Sequence, residues 1–172
     1  AKARFGRIDI LVNNAGTMGV GPIHAEPANE FRAMLDVNVF GTMVATQAAI
    51  PVMKAQGGGH IVNLSSVISR LSMPNQAAYA TSKAAVNAFT DTLRKEVHKD
   101  RIRVTLVLPG ATVSDITSSI ANPAVKKMVD ERRGAIAMLH AEDIAAAIVY
   151  AVTQPERVNV NEILIRPTDQ EM

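Results

Sequence analysis

Three short segments constrain this chain more than anything else in it. Residues 8–13 (IDILVN), 60–65 (HIVNLS) and 103–108 (RVTLVL) are nearly continuous runs of Ile, Val and Leu. A strand with one wet face alternates apolar and polar residues. A strand that does not alternate must be covered on both faces, as in a parallel sheet sandwiched between helices. A fourth segment, Glu162–Ile165 (EILI), reads the same way. Between the runs the period changes. Phe31, Met34, Leu35, Asn38, Thr42, Ala45 and Ala49 recur three and four apart, with Pro27 in the first turn and Gly57, Gly58 and Gly59 ending the helix. Pro51 should kink or shorten it. A second helix is predicted after Pro74-Asn75, with Asn75 as N-cap, running to about Lys99. A third covers about 141–153 and stops before Pro155, and residues 124–133 form a shorter one. The alternation predicts an α/β fold with a doubly wound parallel sheet and right-handed crossovers, in one domain without repeats or linkers.

Composition narrows the function classes. The chain has 172 residues, 18 basic and 16 acidic, for a net charge of +2. That balance, without a basic run, argues against nucleic acid as a partner. A hydrophobic content of 48% with 20% charged residues suits a packed core. There is no Cys, which excludes disulfides and thiolate metal sites and fits a reducing, cytoplasmic setting. His24, His60, His98 and His140 lack ligand spacing, so no metal is expected. No apolar run reaches membrane length, and Ala1-Lys2-Ala3-Arg4 lacks the apolar stretch of a signal peptide.

Parallel sheets bind ligands at the carboxyl ends of their strands. Here those ends read Asn13-Asn14-Ala15-Gly16, then Ser65-Ser66, then Pro109-Gly110-Ala111-Thr112-Val113-Ser114. Each is ordinary turn chemistry by itself. Three small, polar ends on one sheet edge favour a site. Tyr79 and Lys83 stand four apart on the second predicted helix and so share a face. A nearby ammonium lowers the pKa of a phenol and brings it toward acid/base use; the bland reading is a packed Tyr beside a solvated Lys. Small neighbours (Ala77, Ala78, Ala80, Ala84, Ala85) leave room for close approach. Asn38 lies on an apolar stripe, where its amide must find partners. It either tethers a neighbouring loop or holds an ordered water.

Taken in order, Asn13-Asn14-Ala15-Gly16, Asn38, Ser66, Tyr79-xxx-Lys83 and Pro109-Gly110 resemble the short-chain dehydrogenase/reductase family, with Ser66 thirteen residues before Tyr79. The match runs through nearly the whole chain. The ending Asn161-Glu162-Ile163-Leu164-Ile165-Arg166-Pro167-Thr168 resembles the branch of NADP-dependent dehydrogenases acting on 3-hydroxy acids and serine-like substrates. The resemblance implies a Rossmann-like fold and hydride transfer between NADP or NAD and a small hydroxy or carbonyl substrate. It implies Tyr79 as general acid in reduction and base in oxidation, and Ser66 as donor to the substrate oxygen. Lys83 would lower the Tyr79 pKa and bind the nicotinamide ribose, and Asn38 would hold a proton-relay water. Asn14, Ala15 and Gly16 would line the cofactor, Pro109 and Gly110 would pass beside the nicotinamide, and Ser114 would offer a hydroxyl to its carboxamide, with Thr112 in the position the family gives to a β-branched aliphatic residue.

Thr112 and Ser114 depart modestly from the family pattern. A larger departure is that the glycine-rich phosphate loop, Thr-Gly-xxx-Gly-x-Gly, has no counterpart here, nor does the residue that separates NAD from NADP. Residues 1–172 therefore read as the C-terminal portion of one Rossmann-type domain, lacking the N-terminal βαβαβ half, with residues 1–5 ending a preceding helix. Residues 8–13 would form an exposed apolar edge. The competing readings are a non-catalytic fragment or scaffold and a dehydratase or epimerase using the same Tyr79. The family also implies a homodimer or homotetramer meeting through the helices of Asn38 and Tyr79 and the last strand. Residues 111–140 are expected to form a substrate lid, with Arg132 or Arg133 as candidate contacts to a substrate acid.

Overall fold

The computed structural model describes the chain except Ser72, Ala121, Ala135 and Met172 and the side chains of Ser119, Arg132 and Arg133. Its strands are β1 (Ile10–Asn13), β2 (Gly59–Leu64), β3 (Ile102–Pro109) and β4 (Glu162–Ile165). They pair in parallel, in the order β1-β2-β3-β4. The register sets Leu11 beside Ile61 and Ile61 beside Val104 on one face, and Val12 beside Val62 on the other. The predicted parallel α/β sheet is thus present.

The helices are α1 (Lys2–Phe5), α2 (Ala28–Met34), α3 (Thr42–Ala55), α4 (Ala77–Val97), α5 (Pro123–Gly134) and α6 (Ala141–Val152). Ile61 and Val104 pack with Ala49 and Met53 of α3 and Leu93 and Val97 of α4. Val62, Leu64 and Val107 pack with Ile144 and Ile148 of α6. Both faces of the central strands are therefore covered, which is why their sequences do not alternate. β1 is different. Ile10 and Val12 are 47% and 41% exposed.

Several local expectations need correction. Pro27 is the N-cap of α2 rather than part of its first turn. Pro51 does not shorten the helix, because Ala49 and Met53 on either side are locked in the core and α3 continues to Ala55. The irregularity lies earlier. A π-helical turn, Leu35–Gly41, joins α2 to α3 and carries Asn38. The stretch Ala28–Ala55 is also long and apolar enough to cross a membrane by length and composition. Here its stripe of Asn38, Thr42, Thr46, Ala49 and Met53 is buried against the fold. Asn75 is not a cap. It adopts a left-handed φ of 66°, its carbonyl accepts the amide of Gly21 at 2.8 Å, and Gln76 precedes α4 instead. That helix ends at Val97 rather than Lys99, the last residues forming a 3-10 turn.

Candidate active site

Helix α4 positions the central pair. Tyr79 and Lys83 face the same way, with the ammonium 5.9 Å from the centre of the phenol ring. Both are buried. The Lys83 Nζ donates to the carbonyl of Leu64 at 3.0 Å, and the Ser65 hydroxyl donates to the Lys83 carbonyl at 3.1 Å. These two bonds pin α4 to the carboxyl end of β2. Burial lowers the Lys83 pKa to about 8, so at neutral pH a desolvated positive charge stands beside the phenol.

Ser66 follows β2 in extended conformation and caps the 3-10 turn Val67–Ser69, its Oγ accepting the Ile68 amide at 3.3 Å. Behind it, Asn87 donates to the Ser69 hydroxyl at 2.8 Å, which donates to the Ser66 carbonyl at 2.6 Å. The Asn38 carboxamide is committed on every side. Its Oδ1 accepts the Thr17 amide at 2.8 Å, and its Nδ2 donates to the Thr17 carbonyl at 2.9 Å and the Ser82 hydroxyl at 3.0 Å. Ser82 in turn donates to the Tyr79 carbonyl at 2.8 Å. These bonds tether the loop after β1 to α4.

The loop after β1 crosses this ground. A Cβ on Gly16 would stand 3.3 Å from Asn38 Oδ1 and 3.4 Å from Lys83 Nζ, so the backbone passes as close as a glycine permits. After β3, the Gly110 amide donates to the Ile165 carbonyl at 2.7 Å and Thr112 Oγ1 donates to the Gly110 carbonyl at 3.0 Å. Ser114 is exposed and bonds the Thr112 carbonyl at 3.3 Å.

An open cleft of about 1810 Å³ collects these groups. Asn14, Ala15, Gly16, Ser66, Tyr79, Lys83, Pro109, Gly110, Thr112 and Ser114 all line it; Asn38 lies behind its wall. The side chains of Arg132 and Arg133 lie outside the described residues. The cleft exceeds the roughly 300–1,000 Å³ of ordinary ligand pockets.

Sequence reading gave no supporting role to Ser82, Ser65, Ser69, Asn87 or the Thr17 backbone. The only available signals were spacings, Ser82 three residues after Tyr79 and Asn87 four after Lys83. It also missed a buried ladder in which Asn13 donates to Asn63 at 2.8 Å and Thr46 at 3.0 Å, and Asn63 donates to Thr90 at 2.9 Å. This ladder ties β1, β2, α3 and α4 together beneath the cleft.

Known proteins share this arrangement. Residues 1–125 match the family described as short chain dehydrogenase. An uncharacterized oxidoreductase of Staphylococcus saprophyticus is 39% identical over 171 residues, covering 98% of this chain and 68% of the relative. One from Staphylococcus aureus is 38% identical over 167 residues, covering 97% and 68%. The crystal structure of serine dehydrogenase from Escherichia coli superimposes with a TM-score of 0.82 at 30% identity, covering 99% of this chain and 68% of that one. A closed serine dehydrogenase complexed with NADP+ reaches 0.90 at 28% identity, covering 98% and 68%. With its fold, its motifs and these relatives in agreement, the chain belongs to the short-chain dehydrogenase family and is an oxidoreductase of that type.

Proposed function

We propose that the protein transfers hydride between a nicotinamide dinucleotide and a small hydroxy or carbonyl compound, with Tyr79 as the general acid/base. The carrying observation is the desolvated Lys83 ammonium held against the Tyr79 ring in a cleft that Ser66 also lines. In reduction, Tyr79 Oη gives its proton to the substrate oxygen, and the resulting phenolate is stabilised by Lys83. The Ser66 hydroxyl donates a hydrogen bond to that oxygen as its charge develops. Oxidation reverses these transfers. The nicotinamide supplies or accepts the hydride when bound.

The residues present fit such a cofactor. Glycine clearance at Gly16, the buried Lys83 amine and the large cleft are what a planar ring and its ribose need. Asn14, Ala15 and Gly16 would hold it on one side, with Pro109, Gly110, Thr112 and Ser114 on the other. NADP is favoured over NAD because neighbouring structures contain it. Residues 111–140 act as the lid over the substrate. Their base is closed by the Thr112–Leu139 bridge, and Val125 and Val129 of α5 pack on the cluster around Tyr79.

Tyr79→Phe tests the reading. It should lower kcat by about a thousandfold or more while leaving the NADPH dissociation constant within about threefold. Retained turnover would remove Tyr79 from the chemistry.

A further inference from the structure

The cleft wall around Tyr79 is apolar. Met18, Ile68, Leu71, Met73, Ile116 and Val129 line the cleft, and the same side chains pack in one hydrophobic cluster with Tyr79. They arrive from separate places: the loop after β1, the turn after β2, the approach to α4, the 3-10 turn after β3, and α5. Convergence of five segments on one surface gives it a definite chemistry.

The charges point the same way. Among the described residues, the cations lining the cleft are Lys83 and Arg70. Lys83 is turned to the Leu64 carbonyl, and Arg70 pairs with Glu162 at 2.8 Å. Asp115, Asp169 and Glu171 also line the cleft. A carboxylate laid on this wall would meet hydrocarbon, with both described cations of the cleft already engaged.

We propose that the substrate is a ketone or secondary alcohol whose larger substituent is apolar and uncharged, seated on this wall, and not a small hydroxy acid. The proposal rests on Tyr79 acting on the substrate oxygen, since that fixes which end of the molecule faces the wall. Each methylene laid on the wall leaves water, and the gain appears in kcat/KM.

The test compares NADPH-dependent reduction of methyl ketones from 2-butanone to 2-octanone with ω-carboxylated ketones of matched length. kcat/KM should climb about fourfold per added methylene until the wall is filled. The carboxylated partners should be poorer by at least about thirtyfold. A flat series, or a carboxylated ketone turned over as well as its neutral partner, overturns the proposal. Met73→Arg, at a half-buried position, should narrow the gap by at least about tenfold; an unchanged gap counts against the wall. Calorimetry with unreactive hexanamide and hexanoate in the presence of NADP separates this proposal from the catalytic one. If no ketone or alcohol reacts but the amide binds at least about tenfold more tightly, the catalytic reading falls and the wall stands. Equal or tighter binding of hexanoate removes the wall whatever the enzyme does.

Discussion

The Asn38 carboxamide pairs with both backbone groups of Thr17, accepting from its amide at 2.8 Å and donating to its carbonyl at 2.9 Å. The second Nδ2 proton goes to Ser82, whose hydroxyl reaches the Tyr79 carbonyl. One side chain thus links the loop after β1 to the turn of α4 that carries Tyr79. It does so from the π-helical turn, at the start of the buried stripe that continues through Thr42 and Thr46. Asn38→Ala leaves the Thr17 N–H and C=O without these partners. Urea denaturation should show a loss of about 2–4 kcal/mol, and amide exchange at residues 14–18 should speed up. A loss below about 1 kcal/mol would mean that the loop is held by other contacts.

Lys83 shows a conflict between stability and chemistry. Its folded pKa is about 8 against an ordinary 10.5 because burial penalises the charge. The unfolded chain therefore binds this proton more tightly. The stabilising contribution is complete above about 10.5 and is lost as pH falls through about 8. At pH 7 the buried charge costs the fold roughly 3 kcal/mol, offset in part by the bond to Leu64. Lys83→Met should accordingly unfold no more easily than the parent at pH 7, and by up to about 2 kcal/mol less easily. Its turnover should drop at least about a hundredfold. A variant that is much less stable would show that the Leu64 bond outweighs the buried charge.

His60 links pH to stability from the far side of the sheet. Thr105 Oγ1 donates its one proton to the Val160 carbonyl at 2.6 Å, so His60 Nε2, 2.7 Å from the same oxygen, must be the donor in that contact. Its Nδ1 is buried with no hydrogen-bond partner among the described residues. Burial, and then the nearby Arg103 charge, lower the His60 pKa to about 4. A depressed pKa contributes stability that is whole above the unfolded value of 6.5 and is lost as pH falls through about 4. Urea midpoints should therefore decline between pH 7 and pH 4.5 by the equivalent of about 2–3 kcal/mol. His60→Gln, which can still donate to Thr105 but does not titrate, should flatten much of that decline. An equally steep fall in the variant would place the acid sensitivity in the carboxylates.

The sheet was readable because its central strands are nearly continuous aliphatic runs, and β4 occupies the predicted residues. β1 starts two residues later than the apolar run. The Ile8 amide and carbonyl bond to Gln56 at 3.1 and 2.6 Å instead of joining the ladder, and a side chain 48 positions away gives no local signal. Tyr79, Lys83 and Ser66 were readable as residue types at fixed spacing. The work of Ser82, Ser69 and Asn87 was not, since a polar residue on a helix looks the same whether it faces water or a buried carbonyl. The apolar wall was hidden for a related reason. Met18, Leu71 and Met73 sit outside periodic segments, and only the fold brings them to Tyr79.

The outer face of the Asn38 helix supplies the last prediction. Val37, Phe40 and Val44 follow a three- and four-residue spacing and are 41%, 63% and 43% exposed, with Leu35 and Met43 beside them. The opposite stripe is buried, and among the described residues nothing covers this face. Apolar side chains clustered in this way mark a contact surface. The homodimer that the family resemblance implies would bury this face, because a two-fold contact between like helices satisfies both faces at once. Light scattering should give a dimer or a multiple of it for the parent protein, and Phe40→Glu combined with Val44→Lys should shift the mass toward the monomer. The far-UV circular dichroism should be preserved, because neither side chain enters the described core clusters. An unchanged mass in the double variant would move the contact to another surface, and a monomeric parent would remove it altogether.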